Sequence, residues 1–143
     1  MLVRLLYASR AAASVDAEAV AAILKRSMDE NARVGVTGVL CFCASSHVFM
    51  QVLEGGRKAV SRLYNRISQD PRHEEVTLLS YEEIGERSFA SWSMGQVQMG
   101  RLNPALVLKY SEAALIDPYA VPGRASLALM NELADTASIA VRA

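Results

Sequence analysis

VGVTGVLCFCASSHVFMQVLEGG, residues 34–56, is the stretch that decides the fold. Gly35 and Gly38 punctuate the entry to an apolar run over 36–43. A polar turn at 44–47 follows, and then a second apolar run over 48–53 closes on Gly55 and Gly56. Two apolar runs joined by a short polar turn predict an antiparallel pair of strands, and the paired glycines predict the stop before the next element.

Working outward, residues 2–8 predict a strand with Val3, Leu5 and Tyr7 on one face and Leu2, Arg4 and Leu6 on the other. After a polar turn over 9–14, Asp16 can cap a helix that carries Val20, Ile23, Leu24, Ser27 and Met28 at helical spacing and ends near Asn31. Downstream, Val60, Leu63, Tyr64 and Ile67 form the stripe of a second helix over 58–69, ended by Asp70 and Pro71. A fourth strand is expected over 76–81, a connector over 89–93 and a fifth strand over 94–99. Two further helices follow, over about 103–109 and 123–137.

The order β-α-β-β-α-β-β predicts an α+β, ferredoxin-like sheet with two helices on one face. The C-terminal helices would cap the other face, because the row Leu127, Met130, Leu133 needs burial. Residues 1–100 then form the sheet-and-helix unit and 101–143 a helical extension of the same domain. That extension would present its surface to a partner or to a second copy of the chain.

Composition narrows the function classes. Fifteen basic and fifteen acidic side chains cancel across 143 residues, so no global field is available to hold a polyanion or an anionic membrane. The two cysteines, Cys41 and Cys43, lie on one face of one strand, which excludes a disulfide framework. No further ligand stands at metal-binding spacing, so no metal site is expected. The start MLVRLLYASR is too short in apolar residues for a secretory signal, and no stretch approaches the roughly 18 apolar residues of a membrane span. A cytoplasmic protein is expected.

Three polar residues do not suit a plain core. Gln51 sits inside an apolar strand, on the face of Phe49 and Leu53, and a buried amide left unpaired costs about 1–3 kcal/mol. Tyr7 ends the apolar face of a central strand, so its hydroxyl needs an indoor partner. Asn31, near the end of the first helix, has a local reading as a helix cap. If the first and third strands are neighbours, all three converge between the two helices on a groove lined by Ile23, Leu40 and Phe49. Such a groove suits a flat heteroaromatic ligand better than a charged metabolite.

The segments LLYASR (5–10), N-x5-TGVL (31–40), FMQVLEG (49–55), LYNRISQDPRH (63–73) and WSMG (92–95) occur in one order over residues 2–100, and LVLKYS (106–111) follows. Together they resemble the BLUF domain, the flavin-binding blue-light sensor, in its short stand-alone class. The resemblance implies FAD held non-covalently between the two helices, with FMN as the alternative flavin. Tyr7 is then the photoactive tyrosine, Gln51 the switching amide and Asn31 the residue that fixes the pyrimidine edge. Ile23 and Ser27 would line the ring. Arg66 with His73 would match the basic pair toward the ribityl phosphate, and Trp92 and Met94 the gate on the fifth strand that relays the signal.

In this reading the chain is a sensor without enzymatic activity. It is expected to signal to a separate downstream protein, to form a homo-oligomer, and to bind neither nucleic acid nor membrane. Glu30 departs from the amide or histidine common before the asparagine in the family. The rival readings are weaker. An acylphosphatase-like enzyme using Arg10 lacks a glycine-rich anion cradle in residues 9–14, and an RNA-binding module lacks exposed stacking aromatics on its sheet. A ligand-free protein-interaction domain of the same fold is the alternative that the colour of the purified protein would test.

Overall fold

The computed structural model describes residues 1–136. Its sheet has five strands: β1 (Leu2–Ala11), β2 (Thr37–Cys43), β3 (Val48–Gly56), β4 (His73–Ile84) and β5 (Gly95–Gln96). They lie in the order β4-β1-β3-β2-β5, antiparallel throughout except for the parallel pair β2 and β5. Helices α1 (Ala17–Val34) and α2 (Arg57–Gln69) follow β1 and β3. A 3-10 turn (Met99–Arg101), α3 (Pro104–Leu108) and α4 (Gly123–Asp135) complete the described chain.

The sheet separates two cores. Val3, Leu5, Tyr7, Leu40, Phe49 and Leu53 pack against Val20, Ile23 and Leu24 of α1 and Val60 and Leu63 of α2. On the opposite face Leu6, Ala8, Val39, Cys41, Met50 and Val52 pack against Val107 and against Leu129, Met130 and Leu133 of α4. Strands buried on both faces must be apolar at nearly every position, and eight successive residues of β3, Val48 to Gly55, are buried. The capping of the second face agrees with the expected architecture. The buried row of α4 is Ser126, Leu129, Met130 and Leu133, however, and the expected Leu127 is only partly covered. The expected last residue of that helix, Ala137, lies outside the described residues.

Asp16 caps α1 by accepting a 2.8 Å hydrogen bond from the Ala19 amide. The helix runs on to Val34, past the expected end near Asn31, because Gly35 (φ 70°) supplies the left-handed residue that closes it. Asn31 is therefore a buried helical residue and not a cap. β1 and β4 are longer than their apolar patterns, since pairing of Ala11 with His73 and of Leu2 with Ile84 extends both to their ends. The expected fifth strand over 94–99 shrinks to Gly95–Gln96. Pairing with β2 covers only Val39 and Leu40, the Gly38 amide donates to Trp92 O at 3.0 Å, and the chain turns into the 3-10 segment at Met99.

Candidate functional site

β1 and β3 are direct neighbours, and Tyr7 is the register partner of Gln51. Both side chains leave the sheet toward the helices, where Tyr7 Oη donates to Gln51 Oε1 at 2.6 Å. The amide nitrogen of Gln51 donates in turn to Met94 Sδ at 3.3 Å. From α1, Asn31 Nδ2 donates to the backbone oxygen of Ser93 at 3.1 Å. The segment 93–94 is thus held from two sides, and Ser93 Oγ, buried beside these contacts, has no hydrogen-bond partner among the described residues. Burial, assisted by the nearby Tyr64 and Asp70, pushes the Tyr7 phenol far above its usual range, so it is protonated at any working pH.

A cavity of about 530 Å³ opens above this chain of contacts, between α1 and α2. Ile23, Ser27 and Asn31 line it from α1, Leu63, Arg66 and Ile67 from α2, and Tyr7, Leu40 and Gln51 from the sheet. The structure thus brings eight of the nine expected flavin-site residues together at its wall: Tyr7, Ile23, Ser27, Asn31, Leu40, Gln51, Arg66 and His73. Phe49 is the exception. It is fully buried and its ring packs 4.8 Å from that of His73, and it is His73 that reaches the cavity wall.

The expected basic pair of Arg66 and His73 also needs correction. His73 Nδ1 meets Ser9 Oγ at 2.7 Å, and burial lowers its pKa below the ordinary imidazole value, so it offers a neutral ring where a cation was expected. Arg66 stays at the exposed rim, 3.7 Å from Glu30. The cation fixed at the cavity is Arg72, which sequence reading did not single out. Asp70 grips its guanidinium with bonds of 3.0 Å and 2.5 Å, and this pairing holds the Asp70 carboxyl down to about 2. The signal was present in DPRH (70–73): an acidic and a basic residue two apart, just past a helix end.

Of the two expected gate residues, Met94 is fully buried and touches Gln51, whereas Trp92 lies half-buried on the far side, its ring 6.2 Å from Phe89. Neither stands on the fifth strand, which starts one residue after Met94. Among the described residues no group of three His, Cys, Asp or Glu could hold a metal ion.

The donor set suits a planar ring with one polar edge. Apolar side chains stand on both helices, Ile23 on one and Leu63 and Ile67 on the other. The amides of Asn31 and Gln51 and the guanidinium of Arg72 supply donors and acceptors at the wall. A family model described as sensors of blue-light using FAD, BLUF, matches residues 2–95. The chain belongs to the BLUF family. Among curated BLUF relatives, photoactivated adenylate cyclase subunit beta of Euglena gracilis is 36% identical over 94 residues, 65% of this chain and 11% of that protein. The chain therefore spans about a tenth of the length of the curated relatives it matches first. Among solved structures, BlsA in its photo-activated state superposes with a TM-score of 0.84 at 31% identity, covering 100% of this chain and 99% of the other. BlrB, a BLUF protein in its dark state, gives 0.77 at 30% identity, covering 94% and 96%. The α+β fold of the family and the fold found here are the same. No described helix is long and apolar enough to cross a membrane.

Proposed function

We propose that this chain is a blue-light photoreceptor that holds FAD non-covalently between α1 and α2 and uses Tyr7 and Gln51 as its switch. FMN, which carries the same ring, is the alternative flavin. The single observation that carries the reading is the buried chain Tyr7 Oη to Gln51 Oε1 to Met94 Sδ at the wall of a ring-sized cavity. A bound flavin would supply the absorption of blue light and, once excited, an acceptor for one electron.

Everything else falls to the residues of the chain. Tyr7, protonated by burial, can give up an electron readily only if its proton leaves too, and Gln51 Oε1 at 2.6 Å is placed to take that proton. When the electron returns to Tyr7 the proton returns with it, so no net chemistry remains and no product is released. What can persist is the state of the Gln51 amide. Rotation or tautomerisation exchanges its donor and acceptor, so the bond to Tyr7 and the contact with Met94 cannot both survive unchanged. Asn31 and Arg72 would fix the polar edge of the ring, Ile23, Ser27 and Leu40 its sides, and Arg66 the phosphate end.

Loss of the contact between Gln51 and Met94 would release one of the two ties on segment 93–94, which leads directly into β5 at the sheet edge. The change in hydrogen bonding thereby becomes a change in strand placement, read by a separate downstream protein or across a homo-oligomer. The test is an absorption spectrum of the purified protein in darkness and just after blue light, repeated with Gln51→Leu. The expected result is a flavin spectrum that shifts reversibly to the red in the wild type and not in the variant. A colourless protein that takes up no added FAD would overturn the reading.

A further inference from the structure

Among the described residues, Ser93 Oγ is the one buried side-chain nitrogen or oxygen without a hydrogen-bond partner. Native interiors rarely leave such a group unmet, because the water it gave up is then not replaced. Ser93 is 7% exposed and its oxygen is sealed from solvent. The residue stands outside the lining of the ring cavity, so a ring bound there does not supply the missing partner. Its own segment is otherwise well tied. The Ser93 carbonyl accepts from Asn31 Nδ2 at 3.1 Å, the Trp92 carbonyl from the Gly38 amide at 3.0 Å, and Met94 Sδ from Gln51 Nε2 at 3.3 Å.

A complementary deficit arises at Gln51. Its amide now turns an acceptor to Tyr7 and a donor to Met94. A thioether accepts hydrogen bonds but has none to donate. Rotation of the amide therefore turns Oε1 toward a group that cannot satisfy it, and in the same step releases the tie on Met94. The rotated amide then lacks a donor, while the residue just before Met94 carries a donor that lacks an acceptor. We propose that Ser93 is a positioning residue for the photoswitch: once Gln51 has rotated and segment 93–94 is released, the Ser93 hydroxyl donates to Gln51 Oε1 and holds the signalling state. The inference rests on the photoswitch reading of Tyr7 and Gln51. It adds a bond that belongs to the rotated state alone. A hydroxyl unmet before rotation and paired after it narrows the free-energy gap between the two arrangements from both sides.

The test is the dark recovery of Ser93→Ala after blue light, together with urea unfolding in darkness, both on the flavin-loaded protein. Alanine removes the hydroxyl and keeps the backbone carbonyl that Asn31 uses. The expected variant shows a red shift of wild-type size and recovers about threefold to tenfold faster than the wild type. Its urea midpoint in darkness should be no lower than that of the wild type, since no bond is lost there. Ser93→Cys, which keeps a weak donor, should recover at a rate between the two. Recovery of Ser93→Ala at the wild-type rate would overturn the proposal and leave the photoswitch standing. A lowered midpoint in darkness would overturn it as well, because the hydroxyl would then be bonded before the switch. A wild type that shows no reversible red shift removes the photoswitch and the role of Ser93 together.

Discussion

Tyr7 and Gln51 solve each other's burial: each has a polar group in an apolar core, and the register of β1 against β3 sets the two face to face. Tyr7→Phe removes the hydroxyl and leaves Gln51 Oε1 without its donor. The expected outcome is a loss of about 1–3 kcal/mol in a denaturant melt together with complete loss of the light-induced shift, while flavin is still bound. His73 makes a second prediction at this scale. Burial holds its pKa in the folded chain below the 6.5 of a free imidazole. Between those two values the unfolded chain binds more protons, so the stability associated with neutral His73 is complete above pH 6.5 and declines as the pH falls below it. Urea midpoints at about pH 7.5 and about pH 5.5 should therefore differ in the wild type, and differ less in His73→Gln. Asp70 behaves with the same sign further down, its contribution present above 3.8 and lost as the pH falls toward about 2. Sequence reading found Tyr7 and Gln51 because a polar residue among apolar neighbours is anomalous on its face, and Asn31, which alone reads as a helix cap, only through the family resemblance. It missed Asp70 and Arg72 because a charged pair after a helix end looks like any solvated turn until the fold places it at a cavity.

At the scale of elements, the docking of α4 depends on a close approach that only glycine allows. A Cβ at Gly123 would sit 2.0 Å from Leu79 O of β4. Gly123→Ala should therefore lift the start of α4 from the sheet, lower the thermal midpoint by several degrees and shift the emission of Trp92, the sole tryptophan, to the red. Emission unchanged from the wild type would mean that α4 is held by its apolar row alone. The helices α1 and α2 were legible from their stripes, and the error at the end of α1 came from weighing Asn31 above Gly35 as the terminator. The extent of β5 was not legible. Apolar residues recur at Met94, Val97 and Met99, but pairing covers only Val39 and Leu40 of β2 before the chain turns into the 3-10 segment at Met99.

For the whole molecule, the joint between the two cores is a buried carboxylate. Glu54, fully buried on β3, accepts from Arg4 Nε at 2.7 Å, from the Phe89 amide at 2.7 Å and from the Ser88 amide at 3.0 Å. It ties β1 and β3 to the start of the segment that ends at Met94. Glu54→Ala leaves the Ser88 and Phe89 amides without their acceptor and Arg4 with Glu82 and Ser88 as remaining partners, and the expected cost is about 1–3 kcal/mol in a urea melt. Full retention of stability would show that solvent replaces the carboxylate. The sequence by itself determined the order of elements, the two-sided cover of β1 and the buried polar pair Tyr7 and Gln51, because periodicity and anomalous polarity are local properties of the chain. The tertiary structure decided that Met94 and not Trp92 meets Gln51, that His73 screens Phe49 from the cavity, and that Arg72 supplies the fixed cation. Each of these depends on which surfaces meet across long separations in sequence, where side chains compete for one volume and burial sets the charge they carry.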